Sequence, residues 1–219
     1  MVDDFNLAYQ SAIKSLLVPP MKVASGAQRS PSSTSPSSFV LGHLSNLSID
    51  KGLCEVIETF ERIAEVDCTA RLVLAGPCHK PGDRDVLNRA VAKHAGRIEY
   101  RGAVYESAKV KFFREIDAFL FPTKIESWGI VLNEALSFGV PVISVRRACI
   151  PCLVGEGGVI ISPELDFAKV AAQIVTKWIS DVGSHRAACA AAYQRGRDLE
   201  SKTASSMQAL VNTIVGNEN

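Results

Sequence analysis

The sequence contains no apolar run near the roughly 18 residues that a membrane-spanning helix requires. Its first residues, Met1-Val2-Asp3-Asp4, lack the basic and apolar regions of a secretion signal. Together these absences predict a cytoplasmic protein. An excess of either charge is missing too: 24 Lys and Arg against 23 Asp and Glu leave a formal net charge of +1. Global attraction to a polyanion such as nucleic acid is therefore not the basis of function, and any anion site must be local. Cysteine is sparse, with six residues in 219, unlike the dense frameworks of small disulfide-stapled domains, so the thiols are expected to be reduced. No repeat period is evident. What is plentiful is apolar material, 47% of the chain, enough for one full core and too little length for two large ones.

Residues 1–24 read as a short helix, around Phe5 to Leu17, running into the extended Val18-Pro19-Pro20. Residues 25–38 (SGAQRSPSSTSPSS) are Ser- and Pro-rich with no large apolar side chain, so burial cannot offset their ordering entropy and a flexible linker is expected. The folded unit is placed at 39–183. Short apolar runs there (39–41, 71–75, 98–100, 118–121, 140–144 and 158–161) alternate with amphipathic stretches (51–64, 84–94, 108–114, 131–138 and 167–179), and C-terminal helices fill 184–219. This β-α rhythm predicts an α/β fold: a Rossmann-like, doubly wound parallel sheet of about six strands with helices on both faces. In such sheets ligands bind outside the carboxyl ends of the strands.

No G-x-G-x-x-G follows the first strand, which argues against a dinucleotide site. The loop there, Leu44 to Leu53, carries Asp50 as an N-cap candidate, Lys51 in the expected first helical turn and Gly52 beside it. A cation at that place is disfavoured by the helix macrodipole unless an anion is bound, and glycine permits close approach to backbone N–H groups. The alternative is a solvated lysine next to a permissive turn. After the fourth strand, Pro122 stops the extended run, Glu126 sits in the following loop, and Gly129 opens a helix. The first amides of that helix, at Gly129, Ile130 and Val131, would point into the crevice. Glu134 lies one to two turns further on, so two acids eight residues apart can face one site from different elements. A carboxylate is suited to a polyol such as ribose, since it accepts two hydroxyl hydrogen bonds. A loop charge and a solvated helix position are the competing reading. The pair Cys149/Cys152 is only half of a zinc site. Cys78 and His79 follow the second strand, which is not a neighbour of the fifth in the usual doubly wound orders, so no metal is expected. Arg146 and Arg147 are read as solvated.

In order, LSNLSIDKGL, LVLAGP, IEYRGAV, DAFLFPTKIESWGIVLNEALSFGVPVIS and VGEGGVIISPE resemble the C-terminal, nucleotide-sugar-binding domain of retaining GT-B glycosyltransferases of the group 1 type. The resemblance covers about residues 39–180, and its most specific part is the E-x7-E segment from Glu126 to Glu134. It implies that Glu134 holds the donor ribose and that Glu126 lies by the sugar and the leaving phosphate. The amides of Gly129, Ile130 and Val131 would cap the diphosphate. Lys51, beside Gly52, would neutralise the leaving group in place of a divalent metal. Glu126 and Lys51 are thus the catalytic candidates. Asn46 stands where the family commonly has an arginine, offering hydrogen bonds without charge. Ala103 and Val104 match the loop that receives the nucleobase.

The resemblance implies a metal-independent transfer, with retention, of a hexosyl group from a UDP- or GDP-sugar, which is substrate rather than cofactor, so no cofactor is expected. The acceptor would be a glycan or a lipid-linked molecule, as in polysaccharide biosynthesis. It would be bound through a separate N-terminal domain or a partner chain, with peripheral association at the inner face of a membrane as a further implication. Two other readings stand beside transfer: a nucleotide-diphosphate-sugar binding module without activity of its own, and a GT-B nucleotide-sugar epimerase. The isolated chain is expected to bind nucleotide with little or no transfer.

Overall fold

The structure is a computed structural model that describes residues 38–126 and 129–216. The expected helix around Phe5 to Leu17 and all but the end of the Ser/Pro-rich segment fall outside the described residues.

Six parallel strands form one sheet: β1 (Val40–Leu44), β2 (Arg71–Ala75), β3 (Ile98–Tyr100), β4 (Ala118–Phe121), β5 (Val142–Val145) and β6 (Gly158–Ile161), in the order β3-β2-β1-β4-β5-β6. The helices are α1 (Leu53–Val66), α2 (Pro81–Lys93), α3 (Glu106–Glu115), α4 (Ile130–Ser137), α5 (Ile150–Val154), α6 (Phe167–Ser180) and α7 (Val182–Gly216), with short 3-10 turns at Ile49–Lys51 and Gly155–Gly157.

Strand side chains alternate between two cores, as period-two geometry requires when both faces are covered. Leu41, Leu72, Leu74, Leu120 and Ile143 join Leu53, Val56, Phe60 and Ile63 of α1 and Val175 and Trp178 of α6. Val40, Val73, Phe119, Phe121 and Val142 join Phe112 and Phe113 of α3, Leu132 and Leu136 of α4, and Ala192 and Leu199 of α7. In this second core Phe112 and Phe119 meet edge to face at 6.4 Å, and Phe113 stacks on Phe138 at 5.5 Å. Gly42 leaves room for Ile116 and Phe112: a Cβ there would come within 2.7 Å of the Ile116 side chain and 3.0 Å of the Phe112 ring.

Several boundaries differ from those expected. β1 runs to Leu44 rather than ending at Leu41, because His43 is fully buried and satisfied within the sheet. Ser48, not Asp50, caps the turn before α1, its hydroxyl accepting from the Lys51 amide at 3.2 Å. Lys51 therefore ends a 3-10 turn, and α1 starts only after Gly52, whose φ of +85° breaks the helical path. α2 begins at Pro81, a residue whose missing N–H costs nothing at a first helical position. The C-terminal region is one long helix from Val182. None of the described helices is long and apolar enough to cross a membrane.

Candidate functional site

The sheet order reverses between β1 and β4, and loops on either side of that switch diverge above the carboxyl ends of the strands. There they enclose a cavity of about 500 Å³. Ser45 and Asn46 line it after β1, Gly76 and Pro77 after β2, Ala103, Val104 and Tyr105 after β3, and Glu126 after β4; Gly129 lines it at the cap of α4, α4 contributes Ile130, Val131 and Glu134, and α3 contributes Lys109.

Lys51 spans the mouth between the β1 and β4 loops. Its Nζ donates to the Ile125 carbonyl at 2.5 Å and to Glu126 Oε2 at 3.2 Å. The other oxygen of Glu126 accepts from the Gly129 amide at 3.1 Å, so this carboxylate sits at the start of α4, where the macrodipole favours negative charge. The two loops are further tied by the Lys124 amide to the Asp50 carbonyl at 3.0 Å and by the Lys124–Glu55 ion pair at 3.0 Å. Ile130 and Val131 follow Gly129 in the first turn of α4, where amides have no acceptor within the helix.

Elsewhere in the lining, Glu134 Oε1 accepts from Lys109 Nζ at 2.6 Å. Its Oε2 is buried and has no hydrogen-bond partner among the described residues. Each cavity glutamate therefore faces one lysine, and the lining carries no net excess of either sign.

Beneath the floor, His43 Nδ1 lies 2.8 Å from the Leu120 carbonyl and Nε2 2.8 Å from Ser45 Oγ. A carbonyl only accepts, so Nδ1 carries the hydrogen. Burial lowers the His43 pKa to about 4, opposed by the Leu120 bond and reinforced by the charge of Lys51. The ring is therefore neutral at pH 7, Nε2 accepts, and the Ser45 hydroxyl donates to it. Towards the cavity Ser45 presents lone pairs alone.

Of the ten residues that the resemblance assigns to the donor site, all but one line the cavity: Asn46, Lys51, Ala103, Val104, Glu126, Gly129, Ile130, Val131 and Glu134. Gly52 does not. Its amide is bonded to the Ile49 carbonyl at 3.1 Å, and a Cβ would lie 2.6 Å from the Pro122 carbonyl oxygen. Its place is that of a left-handed turn packed on the β4 loop. Arg146 and Arg147 are exposed and stand outside the lining. Cys78 and His79 follow β2, which β1 and β4 separate from β5. Among the described residues no group of three or more His, Cys, Asp or Glu is disposed to hold a metal. Lys109, Ser45 and Tyr105 join the cavity without having been singled out. Lys109 falls at the start of the amphipathic stretch 108–114 and Tyr105 just before it, and no spacing in the sequence marks either.

Residues 38–181 match the family described as Glycosyl transferases group 1, and the chain belongs to that family. It is 29% identical over 145 residues to the capsular polysaccharide biosynthesis glycosyltransferase CapM of Staphylococcus aureus, a match covering 65% of this chain and 37% of that protein. It is 26% identical over 172 residues to the phosphatidyl-myo-inositol mannosyltransferase of Mycobacterium tuberculosis, covering 76% of this chain and 44% of that one. The chain thus spans less than half the length of these relatives. Among solved structures, Anabaena HepE in complex with UDP and glucose superposes with a TM-score of 0.66 at 19% identity, over 80% of this chain and 49% of that one. The fold is that of the Rossmann-like, C-terminal half of a GT-B glycosyltransferase.

Proposed function

We propose that the cavity is the donor site of a hexosyltransferase and binds a UDP- or GDP-sugar. The observation that carries this reading is the convergence, at the switch point of the sheet, of Lys51, the first turn of α4 and Glu134 on one cavity. The diphosphate lies along the first turn of α4, with Lys51 turned from Glu126 towards the leaving phosphate. Positive charge placed there stabilises the charge that builds as the glycosidic bond breaks, and requires no divalent cation. Glu126, released from Lys51, faces the sugar. Glu134 accepts from the ribose, and the base enters over the Ala103–Val104 backbone. Transfer proceeds with retention at the anomeric carbon. Support for the donor class comes from HepE, whose structure holds UDP and glucose. The acceptor, a glycan or lipid-linked molecule, engages a further domain or a partner chain, and peripheral membrane association would follow from a lipid-linked acceptor.

A second reading is a nucleotide-sugar binding module, favoured by the fact that the cavity is lined wholly by this chain's own loops and helices, so that donor binding is separable from transfer.

Titration calorimetry of UDP, GDP and ADP against the purified chain tests the site. Binding of UDP or GDP in the micromolar range is expected. Glu134→Ala and Lys51→Ala should each weaken it about 10- to 100-fold, the usual loss for a hydrogen bond to a charged group. Absence of binding by all three diphosphates, or binding indifferent to both substitutions, would remove the proposal.

A further inference from the structure

Glu134 does not stand alone in the cavity. Lys109 reaches it from α3, a different helix, and closes a 2.6 Å ion pair inside the lining. An ammonium has three N–H donors, and the contact with Oε1 uses one of them. Lys109 remains one-third exposed, its side chain lining the same cavity. On the other partner, Oε2 is buried with no hydrogen-bond partner among the described residues. A buried carboxylate oxygen left without a donor is costly, of the order of the desolvation of a charged group. The pair therefore offers, side by side, one unused acceptor and spare donors.

A vicinal diol is complementary to that arrangement. One hydroxyl donates its hydrogen to Oε2, while the oxygen of the other accepts from the ammonium. Lys109 holds Oε1, so Oε2 is the carboxylate oxygen left without a donor, and the spare N–H groups of the ammonium are the donors nearest to a second hydroxyl.

We infer that Lys109 is a specificity-determining residue that reads one ribose hydroxyl as an acceptor while Glu134 reads its neighbour as a donor. The inference rests on the donor-site reading above. It adds that ribose recognition is divided between two helices and that each hydroxyl has its own partner. The pair also holds the Glu134 charge compensated, so an incoming diphosphate meets no bare carboxylate.

The test is calorimetry of UDP and GDP with their 2′-deoxy and 3′-deoxy forms, using the wild-type chain, Lys109→Met and Lys109→Arg. Removing one hydrogen bond to a charged group costs about tenfold or more in affinity. The wild type should bind both deoxy forms at least about tenfold more weakly than the ribose form. Lys109→Met, which keeps the length of the side chain and loses its donors, should weaken the ribose form by a similar factor. It should abolish discrimination against one deoxy form and preserve it against the other. Lys109→Arg, still a donor, should restore part of both effects. If Lys109 only braces Glu134, discrimination against both deoxy forms will fall together. If it acts only as a charge, ribose and deoxy forms will weaken by one common factor. Either result overturns the inference while leaving the nucleotide site intact. Failure of the wild type to bind UDP or GDP overturns the donor-site reading itself, and this inference with it. Because the wild type is compared across ligands, a folding defect in a variant does not obscure the first arm.

Discussion

His43 shows how much a single side chain decides. A fully buried imidazole is bonded at both nitrogens, and its pKa is lowered from 6.5 to about 4 because burial disfavours the cation. The folded pKa lies below the unfolded one, so the stabilisation is complete above pH 6.5. It is lost as pH falls from 6.5 towards 4, where unfolded chains bind a proton that the fold excludes. That gap corresponds to about 3 kcal/mol in full. Urea denaturation at pH 7 and pH 4.5 should show the wild type losing about 2 kcal/mol more than His43→Gln, a variant with no titrating ring. Equal losses would show that the ring does not resist protonation. At this scale the sequence was informative wherever chemistry and position coincide. Lys51 stands next to a turn glycine, Glu126 just before a helix start and Glu134 eight residues on within that helix, and the structure brings them to one cavity. His43 and Ser45 were silent because their importance depends on Leu120, a carbonyl 77 residues away in sequence.

Between β1 and α1 the local reading was half right. The glycine was visible, but the turn around it was not: Asp50 was the expected cap, and Ser48 is the one that caps. What decides is the β4 loop: Lys124 bonds the Asp50 carbonyl, and Pro122 packs against Gly52. At φ +85° Gly52 occupies a region that costs other residues about 1 kcal/mol or more. A methyl group there also meets Pro122 carbonyl carbon and oxygen at 2.9 and 2.6 Å. Gly96 is an internal control, with φ +79° and nothing within 4 Å of its added Cβ. Both Gly52→Ala and Gly96→Ala should lower the melting temperature, Gly52→Ala by more. Only Gly52→Ala should weaken UDP or GDP binding, because it pushes the Lys51 turn away from the loop that carries Glu126. If the two variants matched in both stability and affinity, the packing of Gly52 on Pro122 would have no bearing on the site.

Over the whole molecule, the alternation of strand and helix made the doubly wound sheet legible, and the strand order then placed the crevice. The sequence did not reveal what holds α4 in position, because that contact joins its end to a helix about 60 residues further on. Helix α7 lies across the second core: Arg195 donates to the carbonyls of Leu153 and Cys152, and Gly196 meets the α4 backbone. An added Cβ at Gly196 would stand 2.7 Å from the Leu136 carbonyl and 2.8 Å from Ser137 Cα. Gly→Ala inside a helix is otherwise favourable by about 1 kcal/mol. The sign of the effect is therefore diagnostic. At Gly82, in the first turn of α2, an added Cβ meets nothing within 4 Å, so Gly82→Ala should be neutral or stabilising in thermal melts. Gly196→Ala should be destabilising despite the same propensity gain, and hydrogen exchange should quicken at the α4 amides before it does in β2 or β3. Since α4 bears Glu134 and the amides proposed for the diphosphate, affinity for UDP or GDP should fall with it. A stabilising Gly196→Ala would mean that α7 rides loosely on α4 and that the sheet alone fixes the donor site.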